Sequence, residues 1–198
     1  MPNETTRPDI GGTFGVVSST HWIASSVGMS MLEKGGNAFD AAVAAGFALQ
    51  VVEPHLNGLG GDLPALFRVA GGDVQVLCAQ GPAPAAATPD HFHRLGLKII
   101  PGTGLLPGVV PGSFDGWMLM LRDYGTLDLA DVLTPAISYA RDGYPLLPET
   151  ANVISRLAPY FAEHWPSAHA TWCPDGHPPD ANTLFRNADL AETYRRLA

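Results

Sequence analysis

The stretch MLEKGGNAFDAAVAAGFALQVVEPH, residues 31–55, contains the end of one helix and the whole of the next. Gly35-Gly36 ends the first helix, because glycine readily adopts the left-handed conformation found after helix C-termini. Asn37 can cap the second helix, and Asp40 lies at the N3 position, near the positive end of the helix dipole. Closely spaced alanines follow, so neighbouring elements can approach closely. The pattern predicts a buried helix over Ala38–Val52 that ends before Pro54.

The residues before this stretch predict a strand followed by a helix. Ile23, Val27 and Met31 recur at a spacing of four, which is typical of one apolar stripe on a helix over 22–34. The preceding segment, 16–19, has the sequence Val-Val-Ser-Ser and is predicted to be a short strand that leads into that helix.

A β-hairpin is predicted immediately after the first two helices. Its arms are 63–69 and Val74–Ala79, and Gly71-Gly72 supplies the turn. The proline-rich segment 81–89 should be a rigid, extended connector, since each proline fixes φ and removes a hydrogen-bond donor. A short helix is expected over 89–95.

The rest of the chain is predicted to be mainly helical, with a loop over 166–182. The expected helices are Ser113–Tyr124, Leu129–Asp142, 148–165 and 187–197. Together with the hairpin, they indicate a mixed α/β class. At 198 residues, one domain with a smaller appendage is the default expectation.

Composition excludes several classes of protein. The chain is 46% hydrophobic and 15% charged, which fits a packed globular protein. Its net charge of −8, with only 11 lysines and arginines, argues against nucleic-acid binding. The apolar run 41–52 is shorter than a bilayer span, and the polar start, residues 1–10, lacks the features of a signal peptide. Cys78 and Cys173 are expected to be reduced thiols, so a cytoplasmic location is predicted.

A glycine-rich loop, Asn57-Gly-Leu-Gly-Gly61, could offer backbone amides to an anion. It follows a helix, however, whereas phosphate loops lead from a strand into a helix. A close-packed turn is therefore the preferred interpretation.

The remaining candidates for chemistry are histidines and a cysteine. His91 and His93 are two positions apart, which directs them apart on a helix, and a zinc hydrolase would need a further ligand such as His55. Cys173 lies near His169 and His177 in sequence, but in a segment expected to be an exposed loop. No residue of the chain is a convincing nucleophile with its base. We therefore predict that the chain contains no catalytic residue, no metal site and no cofactor site.

Ordered motifs across the chain nevertheless resemble one family. Gly15-Val-Val-Ser-Ser19, Met31–Ala38, Val52-Glu-Pro-His55, the Asn57–Gly61 loop and Val110-Pro-Gly112 are similar to the opening of the γ-glutamyltransferase large subunit. The resemblance implies an N-terminal nucleophile hydrolase fold, a four-layer αββα sandwich, of which residues 1–198 would be the N-terminal portion and an incomplete domain. It also implies a self-cleaving precursor, in which a threonine heading a separate small subunit is the nucleophile and its own amine is the base.

One departure from the family bears on specificity. The family has an Arg-Glu pair shortly before Ala83-Pro84, and the arginine holds the α-carboxylate of the substrate. This chain has Gln80 and Gly81 there, so Gln80 is the predicted substrate-binding residue, with a neutral amide in place of a charged fork. Asp62 and Pro64 also replace residues that are usually small or apolar.

The resemblance leaves three hypotheses open. The first is the large-subunit part of an enzyme that transfers or hydrolyses γ-glutamyl (glutathione-type) amides and is inactive without its threonine-headed small subunit. The second is a related acylase of altered acyl specificity. The third is a non-catalytic fragment that acts as a binding or partner subunit.

Overall fold

The computed structural model describes residues 9–198, in which helices predominate over strands. Residues 1–8 lie outside this range. They belong to the segment 1–10, from which the absence of a signal peptide was predicted. The elements in chain order are α1 (Trp22–Glu33), α2 (Ala38–Val52), β1 (Leu63–Arg68), β2 (Val74–Ala79), α3 (Pro89–Arg94), α4 (Ser113–Tyr124), α5 (Leu129–Asp142), β3 (Tyr144–Pro145), α6 (Pro148–His164), α7 (Pro166–Trp172), β4 (Leu184–Phe185) and α8 (Ala188–Leu197). None of these helices combines the length and the apolar composition that a transmembrane segment requires.

The described chain divides into two compact units. The first is formed by residues 9–55 and Gly125–Ala198, and the second by Leu56–Tyr124. The prediction that 1–198 is part of one larger, incomplete domain stays a prediction.

The buried helix α2 forms the core of the first unit. Helix α1 packs closely against it, since a Cβ on Gly28 would lie only 3.0 Å from the carbonyl oxygen of Ala41. Helix α5 also packs on α2, and α8 packs on α5. The buried Tyr194 hydroxyl donates a hydrogen bond of 2.6 Å to Gln50 Oε1, which joins α8 to α2. The prediction of a buried helix over Ala38–Val52 is therefore confirmed.

The start of α2 has the predicted cap and a tertiary contact that the sequence did not predict. Asn37 Oδ1 accepts from the amides of Phe39 and Asp40, and Asp40 Oδ2 accepts from the Asn37 amide at 2.7 Å. The Asp40 carboxylate also accepts from the Thr126 hydroxyl at 2.7 Å and from the amides of Thr126 and Leu127 at 2.9 and 3.1 Å. Burial tends to raise the pKa of Asp40, but these donors outweigh it, and the pKa lies below its ordinary value.

The second unit is built around the predicted hairpin. Strands β1 and β2 are antiparallel, with Leu63 opposite Ala79 and Arg68 opposite Val74. Gly71 has a φ of +76° in the turn, a conformation that favours glycine. The β1–β2 hairpin packs one of its faces against α4, where the rings of Phe67 and Tyr124 meet edge to face with centroids 4.9 Å apart.

Three local predictions were wrong. Residues 16–19 alternate between exposed and half-buried but have no regular secondary structure, and no strand within residues 9–198 pairs with them. The predicted loop 166–182 begins with α7, whose Pro166 occupies the first turn, where the missing amide is not needed. The two-residue strands β3 and β4 were not predicted, because so short a ladder leaves no periodicity in the sequence.

Candidate functional site

The candidate site lies in the second unit, where the chain leaves β2. A Cβ placed on Gly81 would lie 1.4 Å from the carbonyl oxygen of Val110, and one on Gly112 would lie 2.5 Å from that of Ala79. The Val110 amide donates to the Pro82 carbonyl at 3.0 Å, which ties the two segments together. Glycine is therefore required at both positions for the two backbones to come this close.

The glycine-rich loop packs against the start of α4, close in sequence to this junction. The Gly61 amide donates to the Gly58 carbonyl at 3.0 Å, which closes a turn. The buried Ser113 donates through its amide to Gly61 at 2.9 Å and through its hydroxyl to Leu59 at 3.0 Å. The loop therefore forms a turn, as preferred above, but it is not closely packed throughout, since a Cβ on Gly58 would meet nothing within 4 Å. The role of Ser113 was not apparent from the sequence, because its partners lie more than fifty residues away.

Gln80 immediately follows β2 and is exposed. The Cys78 thiol lies 3.9 Å from Gln80 Oε1, as a weak donor, so the two side chains share one face of the strand. Ala79 points the other way, against α4, where a Cβ on Gly116 would come within 2.3 Å of the Ala79 side chain. Close packing on the α4 side thus directs Gln80 to the exposed face. Its role in substrate binding stays a prediction.

A second polar cluster lies at the start of α1, in the first unit. His21, which is 1% exposed, caps the helix by accepting the Ile23 amide at Nδ1 over 3.1 Å. Its Nε2 is buried and has no hydrogen-bond partner within residues 9–198. Burial lowers the pKa of His21, although the nearby Glu53, which accepts from the Thr20 hydroxyl, acts in the opposite direction. The imidazole is therefore a neutral helix cap, a role that the sequence analysis missed.

One hydroxyl–imidazole contact has the composition of a nucleophile and its base. Thr150 Oγ1 lies 3.4 Å from His55 Nδ1. Thr150 is fully buried in the first turn of α6, however, so no substrate can reach its hydroxyl. The contact is structural.

Cys173 was expected on an exposed loop but is buried, with 2% of its surface accessible. It ends α7, and burial raises the pKa of its thiol, which disfavours the reactive thiolate. The Cys173 amide donates to the His169 carbonyl, a backbone contact that does not involve the His169 imidazole. The Nδ1 atom of His177 lies 3.2 Å from the Pro178 carbonyl oxygen. A thiol–imidazole pair is therefore not formed here.

The histidines weighed above as possible ligands of a zinc hydrolase, His55, His91 and His93, do not form a cluster. Within residues 9–198, no group of three or more histidine, cysteine, aspartate or glutamate side chains is arranged to hold a metal ion. His91 lies against Phe92 on α3, His93 is exposed on the same short helix, and His55 belongs to the other unit. The zinc-hydrolase hypothesis therefore has no site in this part of the chain.

Comparison with known proteins identifies the family. The family described as Gamma-glutamyltranspeptidase matches residues 24–198, most of the chain. This chain belongs to that family. It corresponds to the N-terminal part of the large subunit, as the motifs predicted.

Three similar proteins illustrate the match. The glutathione hydrolase-like YwrD proenzyme of Bacillus subtilis (strain 168) is 44% identical over 94% of this chain and 35% of its own length. The solved structure of LmbA2991HD matches at 51% identity with a TM-score of 0.96. The match covers 98% of this chain and 33% of that one. The crystal structure of Helicobacter pylori gamma-glutamyltranspeptidase matches at 33% identity with a TM-score of 0.88. This match covers 96% of this chain and 55% of that one.

These relatives show the fold class and the broad chemistry of the family. The structural neighbours are gamma-glutamyltranspeptidases and acylases, which places this gamma-glutamyltranspeptidase-family chain in the N-terminal nucleophile hydrolase class. The relatives are named as glutathione hydrolases, acylases and an amidohydrolase, and many are named as proenzymes. The chain spans about a third of the length of the curated relatives it matches. For three of them, the share of the relative's own length is 34–36%.

Proposed function

We propose that this chain is the large-subunit part of a γ-glutamyltransferase-like amidohydrolase that is completed by a threonine-headed small subunit. After autoprocessing, the threonine hydroxyl attacks the substrate amide, and its α-amine takes the hydroxyl proton and passes it to the amine that leaves. The acyl group, now an ester of the threonine, is then transferred to water or to an acceptor amine, which regenerates the hydroxyl. The observation that carries the proposal is the family match over 24–198, together with an exposed Gln80 at the acyl-recognition position.

The chemistry of the described residues supports a nucleophile outside residues 9–198. The Thr150 hydroxyl is buried, the Cys173 thiol is buried with a raised pKa, and the His21 imidazole is occupied as a helix cap. We therefore expect no hydrolysis of a γ-glutamyl anilide by this chain alone.

We assign Gln80 to contact the acyl group of the substrate. A γ-glutamyl donor carries an α-carboxylate, and a neutral amide binds a carboxylate less strongly than a guanidinium does. Residue 81 cannot compensate, because any side chain there would collide with the Val110 carbonyl. The glutamate found at this position in the family could be accommodated only if the segment around Val110 moved.

A second candidate function, an acylase acting on amides whose acyl group lacks the α-carboxylate, is favoured by the same two residues. Gln80 can donate to and accept from a neutral group, and Gly81 keeps its surroundings free of charge. The two candidates share the nucleophile and the fold and differ in the donor.

The test compares the complete protein, in which this chain is joined to the rest of the enzyme, with its Gln80→Arg variant. An added guanidinium should gain about 1.5–3 kcal/mol toward an α-carboxylate, or about a tenfold to hundredfold rise in kcat/KM for a γ-glutamyl anilide. The same substitution should not improve a plain acyl anilide of equal length.

The matched control is Gln75→Arg. Gln75 lies on β2, five residues before Gln80, and its side chain is on the face of the hairpin toward α4, where it accepts from the Tyr124 hydroxyl. An equal gain in the control, or no change in donor preference with Gln80→Arg, would remove Gln80 from the acyl site. Activity of the isolated 198 residues would contradict the proposal as a whole.

We also propose a cytoplasmic location. Both cysteines, Cys78 and Cys173, are free thiols, which suits a reducing compartment. A fractionation that places the protein outside the cytoplasm would contradict this.

A further inference from the structure

The register of the β1–β2 hairpin brings a carboxylate next to Gln80. Leu63 lies opposite Ala79 at the end of the antiparallel ladder, so the next position outward places Asp62 opposite Gln80. Residues in this relation have Cβ atoms about 5 Å apart, so their side chains are neighbours. Both residues depart from the family pattern, and the hairpin makes them one pair, called here the Asp62–Gln80 pair.

Both side chains of this pair point away from α4. Leu63 and Ala79 face that helix, because a Cβ on Gly116 would meet Leu63 Cδ2 at 3.0 Å and would also meet the Ala79 side chain. Successive side chains of a strand alternate between its two faces. Asp62 and Gln80 therefore lie on the opposite face, where both are exposed, and one bound group can contact both.

The main chain on each side of the pair is fixed. Gly61, directly before the aspartate, accepts from the Ser113 amide at 2.9 Å. Gly81, directly after the glutamine, lies against the Val110 carbonyl. The two side chains are thus attached to backbone that is already held in place, and such an arrangement lowers the cost of binding.

The carboxylate of the pair is not neutralised by the described chain. Asp62 has no hydrogen-bond or ion-pair partner within residues 9–198. Arg68 is the only lysine or arginine of the segment 62–81, and its Nε donates to the Gly72 carbonyl at 2.7 Å, near the turn. The six residues of β1 span about 20 Å, so the guanidinium at the far end of the strand is too distant to pair with Asp62.

We propose that Asp62 is a second residue that selects the acyl group, and that the Asp62–Gln80 pair takes a donor whose acyl chain ends in an ammonium group. This rests on the proposed function, which assigns Gln80 to contact the acyl group. The carboxylate and the amide carbonyl oxygen both accept hydrogen bonds, and an ammonium offers three donors.

The same pair disfavours an α-carboxylate. A carboxylate placed beside Gln80 meets the like charge of Asp62, and an unfavourable contact of this kind gives specificity against a competing substrate. The pair therefore favours the second candidate function, an acylase whose acyl group lacks the α-carboxylate, and adds a positive charge to the description of that acyl group.

The test uses the complete protein, in which this chain is joined to the rest of the enzyme, and two anilides with acyl chains of equal length. The δ-aminovaleryl anilide ends in an ammonium, and the glutaryl anilide ends in a carboxylate. Wild type should prefer the δ-aminovaleryl anilide. Asp62→Asn removes the charge and keeps the size, so the ratio of kcat/KM for the δ-aminovaleryl anilide to that for the glutaryl anilide should fall at least about tenfold.

Asp73→Asn is the matched control, because it removes the same charge from the turn end of the same hairpin, where Asp73 is exposed. It should leave the ratio unchanged. A wild type that prefers the glutaryl anilide, or an equal change of the ratio in both variants, would overturn the assignment of Asp62. The proposed function would stand in either case, since the anilides are still hydrolysed.

A double-mutant cycle tests whether the two side chains act together. In Gln80→Arg the new guanidinium lies opposite the Asp62 carboxylate and pairs with it, so less of its charge reaches a glutaryl group. The gain in kcat/KM for the glutaryl anilide from Gln80→Arg should therefore be at least about threefold greater with Asp62→Asn than without it. Additive effects would contradict the pairing of the two residues.

A binding measurement decides the inference separately from catalysis. If the complete protein hydrolyses neither of these anilides nor the γ-glutamyl anilide, the proposed function fails. Calorimetric titration with δ-aminovaleramide, which carries the ammonium but no anilide, should then give a Kd at least about tenfold higher for Asp62→Asn than for wild type or Asp73→Asn. Equal affinities of the three proteins, or no binding by wild type, would overturn the inference.

Discussion

Gly81 constrains the candidate site through the side chain that it lacks. The backbone after β2 passes so close to the Val110 carbonyl that even a methyl group would overlap it. The Val110 amide also donates a hydrogen bond to the Pro82 carbonyl. The obstructing atom therefore belongs to a fixed segment of main chain and cannot rotate away as a side-chain atom could. The close approach at Gly81 therefore fixes the path of the main chain after β2, and with it the position of the neighbouring Gln80.

Gly81→Ala should lower the free energy of unfolding of the chain by about 2–3 kcal/mol, the usual cost of forcing an extra group into a packed site. Urea denaturation followed by circular dichroism measures the change. Gly102→Ala is the control, since a Cβ there meets nothing within 4 Å. Equal stability of the two variants would show that the contact at Val110 does not hold the junction together.

Residue-level prediction from sequence reached only part of this site. Gln80 and Gly81 were recognisable as departures from a family pattern, because that comparison uses sequence positions alone. The reason for glycine at 81 and the partners of Ser113 depend on segments about thirty and fifty residues away, and local sequence carries no record of such pairings.

Helix α2 shows how one side chain can serve two elements. Asp40 accepts from its own helix cap at Asn37 and from the Thr126–Leu127 segment before α5. The carboxylate is buried, so its ionised form is held by donors rather than by water. These hydrogen bonds fasten the start of α2 to the chain that precedes α5.

Asp40→Asn should reduce the free energy of unfolding by about 2–4 kcal/mol at neutral pH, since the amide nitrogen would face donors. The pKa of Asp40 is lowered by folding, so its contribution is complete above the ordinary pKa of about 3.9 and is lost as the pH falls through the folded value. The gap between wild type and variant should therefore narrow in acid, as measured by urea denaturation at several pH values.

The control for this prediction is Asp175→Asn, at an exposed loop position. It should leave stability unchanged within about 0.5 kcal/mol, as surface substitutions usually do. A constant gap between Asp40→Asn and wild type at every pH would show that ionisation of Asp40 does not contribute.

Elements whose signals are local were predicted well. The bounds of α2, α4 and α5 agree with the sequence pattern, because caps, prolines and apolar periodicity act within a few turns. Residues 16–19 were mispredicted because a strand depends on a partner, and the described chain supplies none. Helix α7 was missed because its polar, proline-containing sequence has the composition of a loop.

At the scale of the whole molecule, the proposed function places part of the working site outside this chain. Leu66, Val74 and Val76 are exposed on one face of the hairpin, and Gln80 directly follows β2. No accessible nucleophile–base pair is found within residues 9–198. The family relatives are about three times as long as the matched region. The proposed substrate site, shared between this chain and the rest of the enzyme, is consistent with these observations.

The most direct test of this account is the intact mass, with N-terminal sequencing, of every species that co-purifies with the protein expressed from its native gene. The account predicts a companion chain whose first residue is threonine, in equal amount, and hydrolysis of an acyl or γ-glutamyl anilide by the pair. A single species of 20.9 kDa that hydrolyses the anilide without a companion would contradict it.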